Sequence, residues 1–598
     1  MTPLKYNFCY AILSDQGQAD YRNDANQGIY YFDTRFLNHY RFEFEDFSLI
    51  YQDAATNTQL QQYWSRHHHH QQTGQIDRCL KLQQDGFEDV IRCHNPTPDI
   101  QEVVIRQHVD SDFQDMFEIR GQWLEPLFRK TEKNLTANEY QARYVSRDHQ
   151  LNQVIMEFSP ARNMTEGWHF DIQPGQTLEL VIRVTLISPL SENTTALPDY
   201  HSFSRNFSIN KQKPSIQQAI DDVYALLLAP AEGLTIAAGL PRFVTPFGRD
   251  ALICSFFLLS TFPQLAQGTL QFLAHHQGTR TDTINDEQAG KILHEYRYGE
   301  RSRIGDIPFH PYFGASDATA LFIILLHDYC LGSGDWSFMQ TLEPHWRRAL
   351  QWLEGQQDDE TGFIGFHANK RGLVNQCWKD SPDSMSHQDG TLAKHPLFVS
   401  EIQAYAYKAF ACASVFFIHL NQQHEADLYQ VKSEHLKNQF DQYFWQPQMG
   451  CYALALDGDQ QPLNVQNSNA GHCLWAGIVK PGRADELVTT LFSEALWSGW
   501  GLRTLGCHEV RYNPLSYHNG SVWPHDMALT ALGLKQYGYH HQAQHIADTL
   551  LDVAEKQPDH RLPELYSGHD RNHYPVLPYH LSCRPQAWAA AALFALWT

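Results

Sequence analysis

Residues 375–390, NQCWKDSPDSMSHQDG, set three aspartates, Asp380, Asp383 and Asp389, among a tryptophan, a histidine, amides and a glycine. That mixture suits a pocket floor better than a solvated helix face. A carboxylic acid beside an apolar ring can keep its proton near neutral pH, because burial disfavours the charged form. Cleavage of a glycosidic bond needs such a group for the leaving oxygen, a second carboxylate to activate a water, and flat aromatic surfaces for the sugar ring. The segment supplies one carboxylate of that pair. The scaffold has to bring the other to it.

The elements that could do so change character near residue 200. Before that point come short alternating or β-branched runs: Gly28–Phe32, Tyr40–Glu45, Phe47–Tyr51, Asp89–Arg92, Glu102–His108, Phe117–Arg120, Val154–Phe158 and Leu178–Leu186. Turn residues bound many of them, as in an antiparallel sandwich. Beyond Ser215 the apolar residues recur at helical spacing in runs such as SIQQAIDDVYALLLAP, DATALFIILLHDYC and PQAWAAAALFALW. About a dozen such helices without a fixed repeat predict a toroid of hairpins rather than a solenoid. The expected fold is an N-terminal antiparallel β-sandwich followed by an all-α (α/α)6 barrel. The expected divisions are 1–195 for the sandwich, 196–214 for a linker and 215–598 for the barrel. The internal run His67–His70 reads as a surface loop, since adjacent histidines rarely point at one ion.

Composition narrows the partners. A chain of 598 residues is too long for one ordinary core, so two domains are the starting expectation. A net charge of −22 argues against nucleic acid, whose phosphates would be repelled. No apolar run is long enough for a membrane span. The N-terminus lacks the long apolar stretch of a secretory signal. The 11 cysteines, an odd number without a CxxC pair, read as reduced thiols. A cytoplasmic location is therefore expected, with neither cofactor nor metal, since no HExxH or Cys/His cluster occurs.

The remaining chemistry-bearing residues fall in loops between helices. GLPRFVTPFGRD (Gly239–Asp250) carries Phe247, Arg249 and Asp250, and IPFHPYFGASDATA (Ile307–Ala320) carries Asp317. RYNPLSYHNGSVWPHD (Arg511–Asp526) carries His518, Asn519, Trp523, His525 and Asp526, and RLPELYSGHDR (Arg561–Arg571) carries Glu564. Arg249 beside Asp250 places a fork donor next to an acceptor, a pairing that suits vicinal sugar hydroxyls. A buried ion pair is the alternative for these two. Trp378, Trp523 and Phe247 are stacking candidates or ordinary core. His518, Asn519 and His525 are candidate hydroxyl ligands. Asp317 and Asp526 stand where helix caps would. Lys379, Asp383 and Glu509 complete the candidate substrate-binding set, with Asp383 the rival of Asp380 and Glu509 the rival of Glu564.

These loops resemble those of amylo-α-1,6-glucosidases and glycogen-debranching-like glycoside hydrolases. FGRD, DEQAGKILHE, YFGASDATALF, WKDSPDS, YNPLSYHNGSVWPHD and LPELYSG occur in that order, and GIYYFDTRFLNHY (Gly28–Tyr40) resembles the β-rich domain ahead of the barrel in bacterial members. The resemblance implies that Asp380 is the acid, that Glu564 is the base, and that the anomeric centre inverts. Sequence neighbours point the same way: Cys377 and Trp378 would hold Asp380 protonated, and Arg561, Tyr566 and His569 would keep Glu564 ionised. The chain has no room for the glucanotransferase domain of full-length eukaryotic debranching enzymes. An exo-acting glycosidase on an oligosaccharide or small α-glucoside is therefore expected. A phosphorylase, an α-rhamnosidase or α-mannosidase, an epimerase using His508 and His518, and a non-catalytic sugar-binding protein are the alternatives.

Overall fold

The computed structural model describes residues 2–54, 57–68, 71–121, 125–163, 167–207, 213–369 and 371–596. Its first part is built from antiparallel sheets. One has eight strands, running from the edge Ser48–Asp53 through Gln59–His68, Gln71–Gln83 and Gly86–His94, then Thr177–Ile187, Leu151–Ser159, Glu139–Val145 and the edge Glu132–Leu135. Alternation makes its inner face: in Thr177–Ile187, Leu180, Ile182, Val184 and Leu186 are buried. A four-stranded sheet of Gly167–Ile172, Gln101–Asp110, His39–Phe44 and Ala19–Asp20 meets it, with Tyr40 against Phe87 and Phe44 against Trp64. This is the expected sandwich. A further four-stranded sheet joins Thr2–Tyr6, Cys9–Leu13, Gly28–Tyr31 and Thr34–Leu37.

Two local expectations are corrected. Phe117–Arg120 is not a strand: Met116–Ile119 is a short helix closed by Asp115, whose carboxylate accepts from the Phe117 N–H, while Glu118 reaches back to the Asp115 N–H. That capping box outweighs the β-leaning composition of the run. His67 and His68 end a strand rather than form a loop, and His69 and His70 lie outside the described residues.

Twelve helices of eight residues or more follow among the described residues, and they alternate in character. Gly248–Phe257, Ala318–Ser333, Ser400–His419, Asn469–Ala476, Pro524–Gln536 and Ala587–Ala595 are buried around most of their circumference. Most of their neighbours in sequence bury one stripe; Glu343–Gly355 buries Trp346, Ala349, Leu350, Trp352 and Leu353. Each of the six buried helices packs on the next, and Ala587–Ala595 closes on Gly248–Phe257. The expected (α/α)6 barrel is therefore a closed ring. The segment expected as a linker contains the helix Tyr200–Arg205. None of the described helices is long and apolar enough to cross a membrane, and all eleven cysteines are unpaired.

The sandwich is joined to the barrel mouth by charge. Asp33 accepts from Arg297 Nη1 at 3.0 Å and from the Tyr298 N–H at 2.8 Å, and Asp115 accepts from the Arg301 N–H at 3.0 Å. Asp33 and Arg297 are both almost completely buried. Phe117 stacks on Phe309, with centroids 5.3 Å apart. Removing one partner of a buried pair leaves the other charge uncompensated, at a cost of about 3–5 kcal/mol. Asp33→Ala is expected to lower the denaturant midpoint accordingly, and an unchanged midpoint would show that the pair does not hold the two parts together.

Candidate active site

A cavity of about 400 Å³ opens where the barrel helices begin. The strand Phe243–Pro246 leads into the helix Gly248–Phe257, so Phe247, Arg249 and Asp250 enter the cavity wall together. Gly248 permits this approach, since a Cβ there would stand 2.0 Å from the Leu293 carbonyl oxygen. Arg249 is buried. Its Nε donates to Asp317 at 2.7 Å, its Nη2 to the Cys377 carbonyl at 2.9 Å, and its Nη1 lies 3.5 Å from Asp380. One guanidinium thus fixes the loop that carries Asp380. His518 holds the same loop from the other side, its Nδ1 lying 2.6 Å from the Ser381 hydroxyl.

Glu564 faces the same cavity from a distant part of the chain. Tyr517 donates its hydroxyl to Oε1 at 2.8 Å, and the Cys583 N–H donates to Oε2 at 2.6 Å. The walls are aromatic. Trp378 and Trp523 meet edge to face with centroids 5.8 Å apart, and Trp588 stacks on His525 at 3.7 Å. This is the arrangement expected of a sugar pocket: a few convergent polar groups within flat apolar walls.

The electrostatics differ from the sequence-based expectation. Burial pushes the Asp380 carboxyl up to about 6 against the pull of Arg249. It pushes Glu564 further, to about 7, with the charge of Asp380 adding to the rise. Glu564 is therefore not held ionised by Arg561, Tyr566 and His569. Arg561 pairs with Asp222 and Asp559, and Tyr566 donates to the Trp500 carbonyl, so neither lies against the carboxylate. Burial also raises Asp250 to about 7, and its carboxyl lines the cavity without a side-chain hydrogen bond to another described residue.

The candidate residues divide by position. Phe247, Arg249, Asp250, Trp378, Asp380, His518, Trp523 and Glu564 line the cavity. The rest stand behind or outside it. Asp317 caps no helix N–H, and its carboxylate pairs with Arg249. Lys379 is buried and donates to the Thr504 carbonyl at 2.7 Å, which turns it away from the cavity. Asp383 is exposed and accepts from Asn519 at 3.0 Å, so these two latch neighbouring loops. Glu509 accepts from the Gln466 N–H at 2.9 Å. His525 lies beneath Trp588, and Asp526 pairs with His472 at 2.9 Å instead of capping. His508 is exposed and is not part of the lining.

Sequence reasoning did not find Tyr517, Trp588 and Gln586, nor Arg242, Glu295 and the sandwich residues Phe117 and Arg120. Tyr517 and Glu295 lie within motifs already singled out, beside His518 and within the DEQAGKILHE run. Arg120 gave no local signal. Among the described residues one group, Glu232, His275 and His276, brings possible metal ligands within 4.8 Å of one another, and none of the three lines the cavity.

Comparison with known proteins places the chain in a family. Residues 4–183 match the N-terminal domain of some glycogen debranching enzymes, and residues 263–570, just over half of the chain, match the mannosylglycerate hydrolase MGH1-like glycoside hydrolase domain. The chain belongs to the MGH1-like glycoside hydrolases. No curated protein matches this hydrolase. Among solved structures it is similar to a bacterial glucoamylase complexed with acarbose, at 11% identity over 99% of this chain and 90% of that one, with a TM-score of 0.57. It is also similar to the GH63 mannosylglycerate hydrolase of Thermus thermophilus in complex with Tris and D-glycerate, at 14% identity, 64% of this chain, 99% of that one and a TM-score of 0.50. At such identities the likeness is one of fold.

The raised carboxyls of this MGH1-like hydrolase have a consequence for stability. A folded-state pKa above the unfolded value gives stability that is complete below the unfolded pKa and lost as pH rises through the folded one. For Asp250 that window ends near pH 7. The melting-temperature difference between wild type and Asp250→Asn is expected to move against wild type as pH rises from acid to mildly alkaline. Calorimetry at a series of pH values checks this, and a difference that is flat or moves the other way would remove the buried-carboxyl assignment.

Proposed function

We propose that the chain is an inverting, exo-acting hydrolase of an α-glycosidic bond, with an α-glucoside of small size as the first candidate substrate. Asp380 protonates the leaving oxygen and Glu564 activates a water on the opposite face of the sugar. The observation that carries this reading is the convergence of two carboxyls from separate parts of the chain on one aromatic cavity, both with pKa values raised towards neutrality. Asp380 suits the acid role because its carboxyl meets the cavity and its loop is fixed by Arg249 and His518. Glu564 suits the base role because Tyr517 and the Cys583 N–H orient both of its oxygens. Asp250 and Arg249 are the proposed ligands of the bound sugar's hydroxyls, and Trp378, Trp523 and Phe247 its stacking surfaces. The β-sandwich, residues 1–195, and the barrel, residues 215–598, act together as one enzyme of the cytoplasm without a cofactor.

Retention of both carboxyls favours hydrolysis over phosphorolysis, because a phosphorylase has phosphate in place of the base. The exposed position of His508 does not support the paired histidines of an epimerase. α-Mannosides come next to α-glucosides as candidates, because the family match is named for mannosylglycerate hydrolase.

Following the product anomer by NMR with a panel of α-glucosides, α-mannosides and α-rhamnosides tests the reading. The β-anomer is expected first; initial release of the α-anomer would sink inversion. Asp380→Asn and Glu564→Gln are each expected to lower kcat by about 10²–10⁴-fold. Full activity in either variant would remove its assigned role. The active form carries its one proton on Asp380 with Glu564 ionised. That is the minor of the two singly protonated arrangements, because Glu564 is the weaker acid. On this basis kcat/KM is expected to rise and then fall with pH, with limbs near the pair's values of about 6 and about 7. A profile flat across that range would contradict the pair as the titrating groups.

A further inference from the structure

One group of metal-ligating side chains lies away from the aromatic cavity. Glu232, His275 and His276 bring one carboxylate oxygen and two ring nitrogens within 4.8 Å of one another, and Glu232 Oε1 is 3.9 Å from His276 Nε2. A tetrahedral zinc ion with bonds of about 2.1 Å holds its ligands about 3.4 Å apart, so a small rotation of the exposed His275 ring closes the set. Among the described residues none of the three side chains donates or accepts a hydrogen bond, which leaves their lone pairs uncommitted. Successive histidines on a strand point to opposite faces, but these two straddle a helix end. His275 is the last residue of the helix Pro263–His275 and His276 is its cap, with φ −97° and ψ 15°. Their rings stand at 80° with centroids 4.8 Å apart, and Phe272 and Tyr296 hold the His276 ring at 4.6 and 4.5 Å.

Close packing brings Glu232 to them. It lies in the turn Pro230–Gly233, where the Gly233 N–H donates to the Pro230 carbonyl at 3.2 Å. A Cβ on Gly233 would stand 2.4 Å from the Gly268 carbonyl oxygen, and one on Gly268 would stand 2.3 Å from the Leu234 carbonyl oxygen. Glycine at both positions lets the turn lie directly on the helix that carries the histidines. A separate cavity of about 70 Å³, lined by Glu232 and His276 with Asn193 and Thr194, leaves room for a water as fourth ligand.

We propose that Glu232, His275 and His276 form a structural site for a divalent transition-metal ion, with zinc the ion that the donor set fits best. Two imidazoles, one carboxylate and a water suit zinc, whereas calcium and magnesium take oxygen ligands alone. None of the three residues lines the aromatic cavity, so the ion has no part in glycoside chemistry and the proposal stands independently of it. Its effect falls on the joint between sandwich and barrel. His276 packs on Tyr296, Tyr296 on Tyr298 at 5.1 Å, and Tyr298 on Phe8 and Phe32 of the sandwich at 5.3 and 5.2 Å. A bound ion ties the turn ahead of the strand Thr235–Gly239 to the helix end from which that chain of rings starts.

The test uses the full chain, stripped of metal with a chelator. His67→Asn, His68→Asn, His69→Asn and His70→Asn are introduced together, so that the histidine run does not compete for the ion. Calorimetric titration of this background with zinc chloride is expected to show one ion per chain, bound at micromolar strength or tighter. Glu232→Gln and His275→Ala are each expected to weaken binding by at least about 10-fold, the effect that even an outer-shell partner has on a metal site. Zinc is also expected to raise the melting temperature of the background protein increasingly with concentration, and calcium and magnesium at the same concentrations to leave it unchanged. This second arm needs no change at the site itself, so it decides the matter even where a site variant fails to fold. Absence of zinc binding in the background, zinc bound equally well by both site variants, a melting temperature indifferent to zinc, or calcium bound as tightly as zinc would each overturn the proposal.

Discussion

Closure of the inner helical ring is the constraint on which the rest depends. Once Ala587–Ala595 packs on Gly248–Phe257, the starts of the six buried helices meet at one end. The contacts show it: Arg249 reaches Asp317, Glu401 accepts from Asn469 at 2.6 Å, and His472 lies 2.9 Å from Asp526. Each pair joins the start of one inner helix to the next. Helix N-termini carry unpaired N–H groups and partial positive charge. A ring of six offers a setting in which Asp250, Asp317, Glu401 and Asp526 can be buried close together. A cluster of acids on an isolated surface would repel; here backbone dipoles, with Arg249 and Lys379, offset part of that repulsion.

The candidate active site follows from that floor. Arg249 joins the first and second inner helices to the Asp380 loop in a single fork. The Arg511–Asp526 loop supplies Tyr517 to Glu564 and His518 to Ser381, so it touches both the proposed base and the loop of the proposed acid. Change in this loop would therefore disturb the acid and the base together.

Much of this was legible from local sequence. Helical spacing gave the barrel, alternation gave the sandwich, and Phe247, Asp250, Trp378, Asp380, Tyr517 and Trp523 of FGRD, WKDSPDS and YHNGSVWPHD lie around one cavity. Position behind the wall was not legible. Lys379 and Asp380 are adjacent, yet one faces the Thr504 carbonyl and the other the cavity, and only packing decides which. The surroundings of Glu564 were misjudged for the same reason. Its neighbours in sequence point elsewhere, while Tyr517 and Cys583, both distant along the chain, contact it. The helix Met116–Ile119 was read as a strand, although Asp115 and Glu118 at capping-box spacing mark it, and Arg120 at its end carried no signal of its own.

The ion pairs that join the parts also span the chain. Arg561 binds Asp222 and reaches Asn57, 504 positions away. Lys5 donates to the carbonyls of Ala225 and Leu227, closing the end of the first long helix. Glu564 and the helix Ala587–Ala595 that completes the ring come late in chain order; of the pocket lining, Tyr579, Leu581, Gln586 and Trp588 follow Glu564. During synthesis from the ribosome the pocket therefore has neither a closed floor nor the Glu564 carboxyl until these two segments have emerged. The long-range contacts that finish the fold are the slowest kind to form. The pocket is completed only by the ring-closing helix, late and in one step.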